Sequence, residues 1–339
     1  MTEQFAAMAS SARLMRLLWP GALAVQALNA AAKLGVPELL TNGPKSVAEL
    51  AEITGAHQNS LHRLLSALSS LGVFATDASG KFRHSPASEA LCDSHPQSVR
   101  RRLMLLTSDL VWLPSSQLEW TVRTGEPAFN RLFGKSFYEY LAEQRELSAI
   151  FDSGVESPSA SIAALLKAYD FSPFDEVVDV GGGDGSLLAA IMAAHKQVRG
   201  VLFDLPGVAS DASVTISSEL ADRLSVVGGN FFDAVPPGAD AYLLSHVIHN
   251  WSDEAAITIL KNCRLAMRTG GRVLIVESVL NSAHDSARLF MDVVMMILTG
   301  GRERTEEELR QLLHGAGLTL VGSTRIAGGC LLEASHTAG

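Results

Sequence analysis

Two different spacings of apolar residues divide the chain near residue 170. Before that point apolar positions recur at three and four residues, the spacing of a helix that buries one face. Between Ala22 and Leu40 this places Leu23, Ala27, Ala30, Ala31 and Leu34 on one stripe, with Pro37 near the start of a following short helix, a position proline tolerates. Ser46 with Glu49 is a capping-box start, and Gly55 ends the helix it opens. A second helix runs from about Gln58 to Leu71, its inner face Leu61, Leu64, Leu65 and Leu68, and Gly72 stops it. The runs GVFATD and GKFRHS then flank a DASG turn, so helix, turn, helix and hairpin form a winged-helix arrangement. Residues 98–170 read as helical, and their aromatics (Trp112, Trp120, Phe129, Phe133, Phe137, Tyr138, Tyr140 and Phe151) are each expected in the core rather than on a ligand. Pocket lining by a few of them, which the sequence does not select, is the alternative.

Beyond residue 170 short apolar runs alternate with helical segments. Strands are predicted at Glu176–Val180, Val198–Asp204, Leu224–Gly229, Asp240–Val247, Gly271–Ser278, Leu318–Ala327 and Cys330–Ser335, with helices in the gaps between the first five. Ser252 is the N-cap of one helix, with Asp253 and Glu254 in its first turn, and Thr305 with Glu308 is a capping box for another that reaches Gly315 or Gly317. Five parallel strands, then an edge hairpin turning at Gly328-Gly329, make an α/β, doubly wound, seven-stranded Rossmann-like domain.

Composition narrows the function. Hydrophobic residues make up 47% of the 339, ample for a buried core, and charged residues 19%. The length suggests two domains, or one with a large appendage. With 27 Lys+Arg against 36 Asp+Glu the formal net charge is -9, which argues against a general binder of phosphate backbones. The winged helix is no exception: Lys45, Arg63, Lys81 and Arg83 are offset by Glu49, Glu52, Asp77 and Glu89, so it reads as an oligomerisation and substrate-capping module. Cys92, Cys263 and Cys330 lie far apart without a CxxC pair, supporting neither a disulfide framework nor a zinc ribbon. The stretch Leu17–Val36 is broken by Gln26, Asn29 and Lys33, too polar to span a bilayer, and no signal peptide is recognisable, so a cytoplasmic protein is expected.

The first strand of the second half runs into Asp179-Val180-Gly181-Gly182-Gly183-Asp184-Gly185. Glycines at alternate positions allow left-handed angles and let a ligand lie against bare backbone, with a helix N-terminus aimed at it. The dinucleotide fingerprint GxGxxG needs glycine where this chain has Ser186. What fits is DxGxGxG, with Asp179 ahead of the turn: unfavourable beside a pyrophosphate, favourable beside the ammonium of an amino acid. That chemistry points to S-adenosylmethionine rather than NAD, and Asp204, about twenty residues on at the next strand end, is where ribose hydroxyls are expected.

The sequence resembles the small-molecule S-adenosylmethionine-dependent O-methyltransferases typified by plant caffeate and hydroxyindole enzymes and by bacterial polyketide and phenazine tailoring enzymes. The segments VVDVGGGDG, FDLPGV, GGNFFDAVPPGADAYLLSHVIHNWSDE, VLIVES and GGRERTEEEL, in that order, carry the likeness, which spans nearly the whole chain. It implies a winged-helix dimerisation domain over 1–97, a helical linker and substrate-capping region over 98–170, and a cofactor-binding methyltransferase domain over 171–339. It also implies a homodimer, an aromatic small-molecule acceptor, no nucleic-acid or membrane partner, and a place in specialised metabolism.

Carried over by position, the family's glycine loop falls on Gly181 and Gly183 and its ribose-binding acid on Asp204, followed by Leu205. Its adenine-flanking motif falls on Gly229-Asn230-Phe231-Phe232, with Asn230 where Asp is usual; an Asn carbonyl still accepts from the adenine amino group. Ser245 stands where plant enzymes have Lys, and Trp251 matches a tryptophan beside the adenosine. The general base falls on His249, and its flanking carboxylates on Glu277 and Glu303. A near-neutral imidazole suits removal of a phenolic proton, and a carboxylate on its other nitrogen fixes the tautomer. Asn250 (commonly Asp), Met291, Asp292 and Met295 match segments that contact the acceptor, and His246 is expected to be a packing or pocket residue. No metal is implied, because no cluster at ligand spacing is visible near the site. The acceptor atom stays open: nitrogen or carbon are alternatives to oxygen, as are a diverged non-methylating relative and a ligand-sensing regulator.

Overall fold

A computed structural model describes residues 11, 14–15, 17–144, 147–148, 151, 159–215, 220–280, 285–326 and 329–337. They form two compact units, one made by the chain through Trp112 and one by the described chain from Leu113.

In the first unit the Ser46 hydroxyl accepts from the Glu49 N–H at 3.2 Å while the Glu49 carboxylate accepts from the Ser46 N–H at 2.6 Å, starting the helix Val47–Thr54. Gly55 ends it at φ 67°. The helix Gln58–Ser70 follows, then β1 (Phe74–Thr76) and β2 (Phe82–His84), paired antiparallel, so the winged helix is present. The Asp77 carboxylate closes the wing's turn by accepting from the N–H groups of Ser79 and Lys81. Leu61, Leu65 and Leu68 are buried as expected, together with Val36, Leu40, Leu50, Phe74 and Phe82. The first stripe is only partly right. The helix Gly21–Lys33 packs on this core from Ala27 onward, so Leu23, near its start, is 57% exposed.

In the second unit β3 (Glu176–Val180), β4 (Arg199–Asp204), β5 (Leu224–Gly228), β6 (Ala241–Ser245), β7 (Arg272–Glu277), β8 (Leu318–Ile326) and β9 (Gly329–His336) form one sheet in the order β5-β4-β3-β6-β7-β9-β8. The first five are parallel and β9 and β8 close the edge antiparallel. Gly328 lies outside the described residues. Alternate side chains serve two cores, as a sheet covered on both faces requires. Val178, Val180, Tyr242, Leu244, Val273 and Ile275 pack with Ile259, Leu260 and Leu313 on one side, and Val177, Leu202, Leu243, Leu274 and Val276 with Leu188, Ile191 and Met192 on the other.

One expectation fails. Helices follow β3, β4 and β6 (Ser186–Ala194, Pro206–Thr215 and Asp253–Ala266), but none joins β5 to β6. That connection, 229–240, holds only turns; Pro236-Pro237-Gly238 cannot sustain a helix. Residues 98–170 are helical in short pieces, among them Leu118–Thr124, Ala128–Phe133 and Phe137–Glu143. There Phe129 lies 4.4 to 5.5 Å, ring centre to ring centre, from Phe133, Phe137 and Tyr140. Sheet order reverses between β3 and β6, which opens a crevice at the carboxyl ends of the parallel strands.

Candidate active site

The glycine loop leaves β3 at that crevice. Gly181 and Gly183 take φ 71° and 58°, and a side chain at Gly181 would press on Val247 Cγ2 at 2.9 Å, whereas Gly183 faces open space. Asp179 is 1% exposed, and its Oδ1 has no hydrogen-bond partner among the described residues. Burial, and then the neighbouring charges of Asp204 and Asp184, push its carboxyl up to about 7. Asp204 accepts from the Gly183 N–H at 2.9 Å and the Leu205 N–H at 2.7 Å, leaving each oxygen a further lone pair; burial raises its pKa against those two bonds. A buried carboxylate oxygen lacking a donor, bare backbone and a second carboxylate beside it fit a ligand bringing an ammonium and hydroxyls.

The other wall of this crevice is aromatic. Trp251 meets Phe231 and Phe232 edge-on at 5.7 and 4.8 Å and stacks on Tyr138 at 5.5 Å. The Phe231-Phe232 turn is fixed from both sides. The Asn230 Oδ1 accepts from the Phe232 N–H at 3.0 Å, and the Asn262 amide donates to the carbonyls of Phe231 and Phe232 at 2.8 and 3.0 Å. Asn230 itself is exposed, and Ser245 is the last residue of β6, opposite Val276 in register.

Beyond β6 the chain bends at His246, whose φ of 55° is the left-handed conformation, into the short 3-10 turn Ile248–Asn250. The Asn250 amide donates back to the His246 carbonyl at 2.9 Å, so this side chain is buried and turned into the protein. His249 Nδ1 donates to Glu303 Oε1 at 3.0 Å and lies 3.6 Å from Glu277 Oε2, and the His249 N–H donates to Glu277 Oε1 at 3.2 Å. Both carboxylates are 2% exposed, and one oxygen of each, Oε2, has no hydrogen-bond partner among the described residues. With two carboxylates at Nδ1 the proton sits there, which leaves the Nε2 lone pair to accept another. Burial lowers the His249 pKa, but the Glu277 charge and the Glu303 hydrogen bond outweigh it, and the net shift is upward.

Four residues that sequence reading did not single out, or assigned otherwise, build this arrangement. Arg304, 2% exposed, donates to the carbonyls of Ile248 and Trp251 at 3.0 and 2.7 Å and to Asp253 Oδ1 at 2.8 Å. Gly301 passes so close to the His249 carbonyl and the Asn250 backbone that a Cβ would overlap both, and next to it the Arg302 N–H donates to the His249 carbonyl at 2.8 Å. Asp292, on the helix Ser286–Leu298 with half-buried Met291 and buried Met295, accepts from the Glu303 N–H at 2.7 Å. The fourth is Asn262, described above. The Gly300-Gly301 pair was the one local signal; the others are long-range contacts.

The expectation that no metal-ligand cluster lies near the site needs correction. Folding brings His246, His249 and Glu277 together with one ligand atom of each within 4.8 Å of the others, because the ends of β6 and β7 are neighbours in the sheet.

Residues 116–319, more than half the chain, match the profile of the O-methyltransferase domain, and residues 9–94 that of the O-methyltransferase dimerisation domain. The chain belongs to the O-methyltransferase family, whose members depend on S-adenosylmethionine. It is 36% identical over 318 residues to the mitomycin biosynthesis 6-O-methyltransferase of Streptomyces lavendulae, covering 92% of this chain and 90% of that one. The solved structure of the mitomycin 7-O-methyltransferase MmcR superposes with a TM-score of 0.91 at 35% identity, over 98% of this chain and all of that one. NcsB1 from neocarzinostatin biosynthesis, solved with S-adenosylmethionine and 2-hydroxy-5-methyl naphthoic acid, gives 0.79 at 35% identity over 92% of this chain and 96% of that one.

Proposed function

We propose that this chain methylates a hydroxyl of an aromatic small molecule of specialised metabolism, with His249 as general base. The observation that carries the reading is the Nδ1 of His249 held against Glu303 and Glu277 at the carboxyl ends of the strands. When bound, S-adenosylmethionine supplies an electrophilic methyl group. Asp179, Gly181, Gly183, Asp204 and Leu205 would hold its amino-acid and ribose portions, and Asn230, Phe231, Ser245 and Trp251 its adenosine end. His249 Nε2 takes the acceptor's hydroxyl proton, and the two buried carboxylates stabilise the imidazolium that results. Met291 and Met295 line the acceptor side, while Asn250 and Asp292 act by holding the His246 carbonyl and the Glu303 backbone. Most of the rate comes from orientation of acceptor against donor. The dimerisation domain supports a homodimer. Among the described residues no helix is long and apolar enough to cross a membrane.

The test is methyl transfer to a panel of phenols, read by mass. His249→Ala lowers turnover by roughly a hundredfold or more, while calorimetric affinity for S-adenosylmethionine stays within about twofold, since His249 does not belong to the proposed cofactor-binding set. Turnover surviving within a few-fold removes the base role.

A further inference from the structure

The geometry points to a divalent-cation site of the zinc type at His246, His249 and Glu277, whose occupation switches methyl transfer off. Its ligand chemistry stands on the cluster itself, and the inhibition rests on the reading of His249 as base.

Glu277 Oε2 is the centre of the cluster. It lies 3.8 Å from His246 Nδ1 and 3.6 Å from His249 Nδ1, and it is a buried carboxylate oxygen without a hydrogen-bond partner among the described residues. Two donors bound to one tetrahedral zinc ion at ~2.0–2.1 Å stand about 3.3–3.5 Å apart, so both distances need to close by only a few tenths of an ångström. Imidazole nitrogens and a carboxylate oxygen are the donors that select such an ion over magnesium or calcium.

The local charge favours a cation. Glu277 and Glu303 set two buried carboxylates beside the imidazoles of His246 and His249, and the guanidinium of Arg304 is committed to Asp253 and to backbone carbonyls. Glu303 Oε1, 3.0 Å from His249 Nδ1, is within reach as a fourth donor. Entry is open because the His246 side chain is 42% exposed while that of His249 is 16% exposed. An ion at this place takes the His249 Nδ1 lone pair, so the single proton of the neutral ring sits on Nε2. Nε2 then has no lone pair with which to take the acceptor's proton, and the carboxylates that would support an imidazolium are spent on the ion.

The full chain is titrated calorimetrically with zinc chloride in a non-coordinating buffer, and cobalt(II) is added in parallel to read visible absorption. The comparison is His246→Asn, chosen because asparagine tolerates the left-handed backbone there and lacks the imidazole; His246→Gly serves if that variant folds poorly by circular dichroism. The expected result is one zinc per chain with micromolar affinity, at least tenfold weaker in the variant, and intense tetrahedral cobalt bands in the parent alone. Zinc at the same concentration inhibits methyl transfer by the parent, chelator restores it, and the variant, active within about twofold without metal, resists. Equal zinc affinity in parent and variant, or no stoichiometric binding, overturns the site. Binding that depends on His246 but leaves turnover untouched keeps the site and overturns His249 as base, so the two failures are distinguishable.

Discussion

Glu303 Oε1 accepts from His249 Nδ1 across a gap of 54 positions in the chain, at 3.0 Å, with the carboxylate 2% exposed. With His249 as the proposed base, that charge is of greatest use when the imidazole has taken a proton, in the transition state rather than before it. Glu303→Gln keeps the shape and removes the charge. We expect a fall in kcat of roughly tenfold to a hundredfold with KM for the acceptor little changed, read by steady-state kinetics. A rise in KM alone would move Glu303 from supporting the base to binding the acceptor.

Asp179 gives a pH effect of determined sign. Its carboxyl is raised from an ordinary 3.8 to about 7 by burial and by Asp204 and Asp184. In the unfolded chain it ionises near 3.8, so between there and about 7 the unfolded state gains what the folded state must forgo, and stability falls as pH rises through that window. Asp179→Asn removes the penalty. The cofactor-free variant should melt higher than the parent at pH 8, with the difference shrinking toward pH 4, while its affinity for S-adenosylmethionine drops at least tenfold. A lower melting temperature at pH 8 would contradict the buried, uncompensated carboxylate.

Arg304 ties the turn carrying His249 to the loop carrying Glu303. Arg304→Met fills much of the space but leaves the Ile248 and Trp251 carbonyls without donors. At about 1–3 kcal/mol for each of these two unsatisfied buried groups, and with Asp253 half exposed and so of little added cost, we expect a loss of roughly 2–6 kcal/mol in chemical denaturation. Turnover should fall more than stability requires, because His249 moves.

Gly301→Ala places a methyl group inside the His249 carbonyl and the Asn250 backbone. Backbone cannot rotate away as a side chain can. The cost is expected at about 3 kcal/mol, with turnover reduced at temperatures where the variant is still fully folded by circular dichroism. Near-normal turnover would show that the 299–301 loop has slack.

The sheet was legible because its strands are short apolar runs with turn residues between them, and each prediction falls within two residues of the observed ends. Ser46 with Glu49, and Thr305 with Glu308, announced helix starts through local pairs, and both boxes are formed. The placement of the candidate site was legible only where motif and position spoke together, as at His249 and the glycine loop, which the structure sets at the carboxyl ends of the strands. What stayed hidden depends on distant partners. Arg304 reads in sequence as one more surface charge, Asn262 as a polar position on a helix, and Asp292 as a pocket carboxylate, until folding sets each against a backbone group elsewhere. The missing helix between β5 and β6 had its warning in Pro236-Pro237-Gly238, which the alternation of strands and helices overrode.

Asp292 sits on the same helix as Met291 and Met295, one turn from the latter, and holds the Glu303 N–H. On the roles proposed for Met291, Met295 and His249, reshaping that helix to admit a different acceptor tugs on Glu303, and selectivity and speed share a mechanical linkage. A library aimed at new acceptors should vary Met291 and Met295 with Asp292 left untouched; randomising all three would discard most of its members for sluggish chemistry before their preferences were ever sampled.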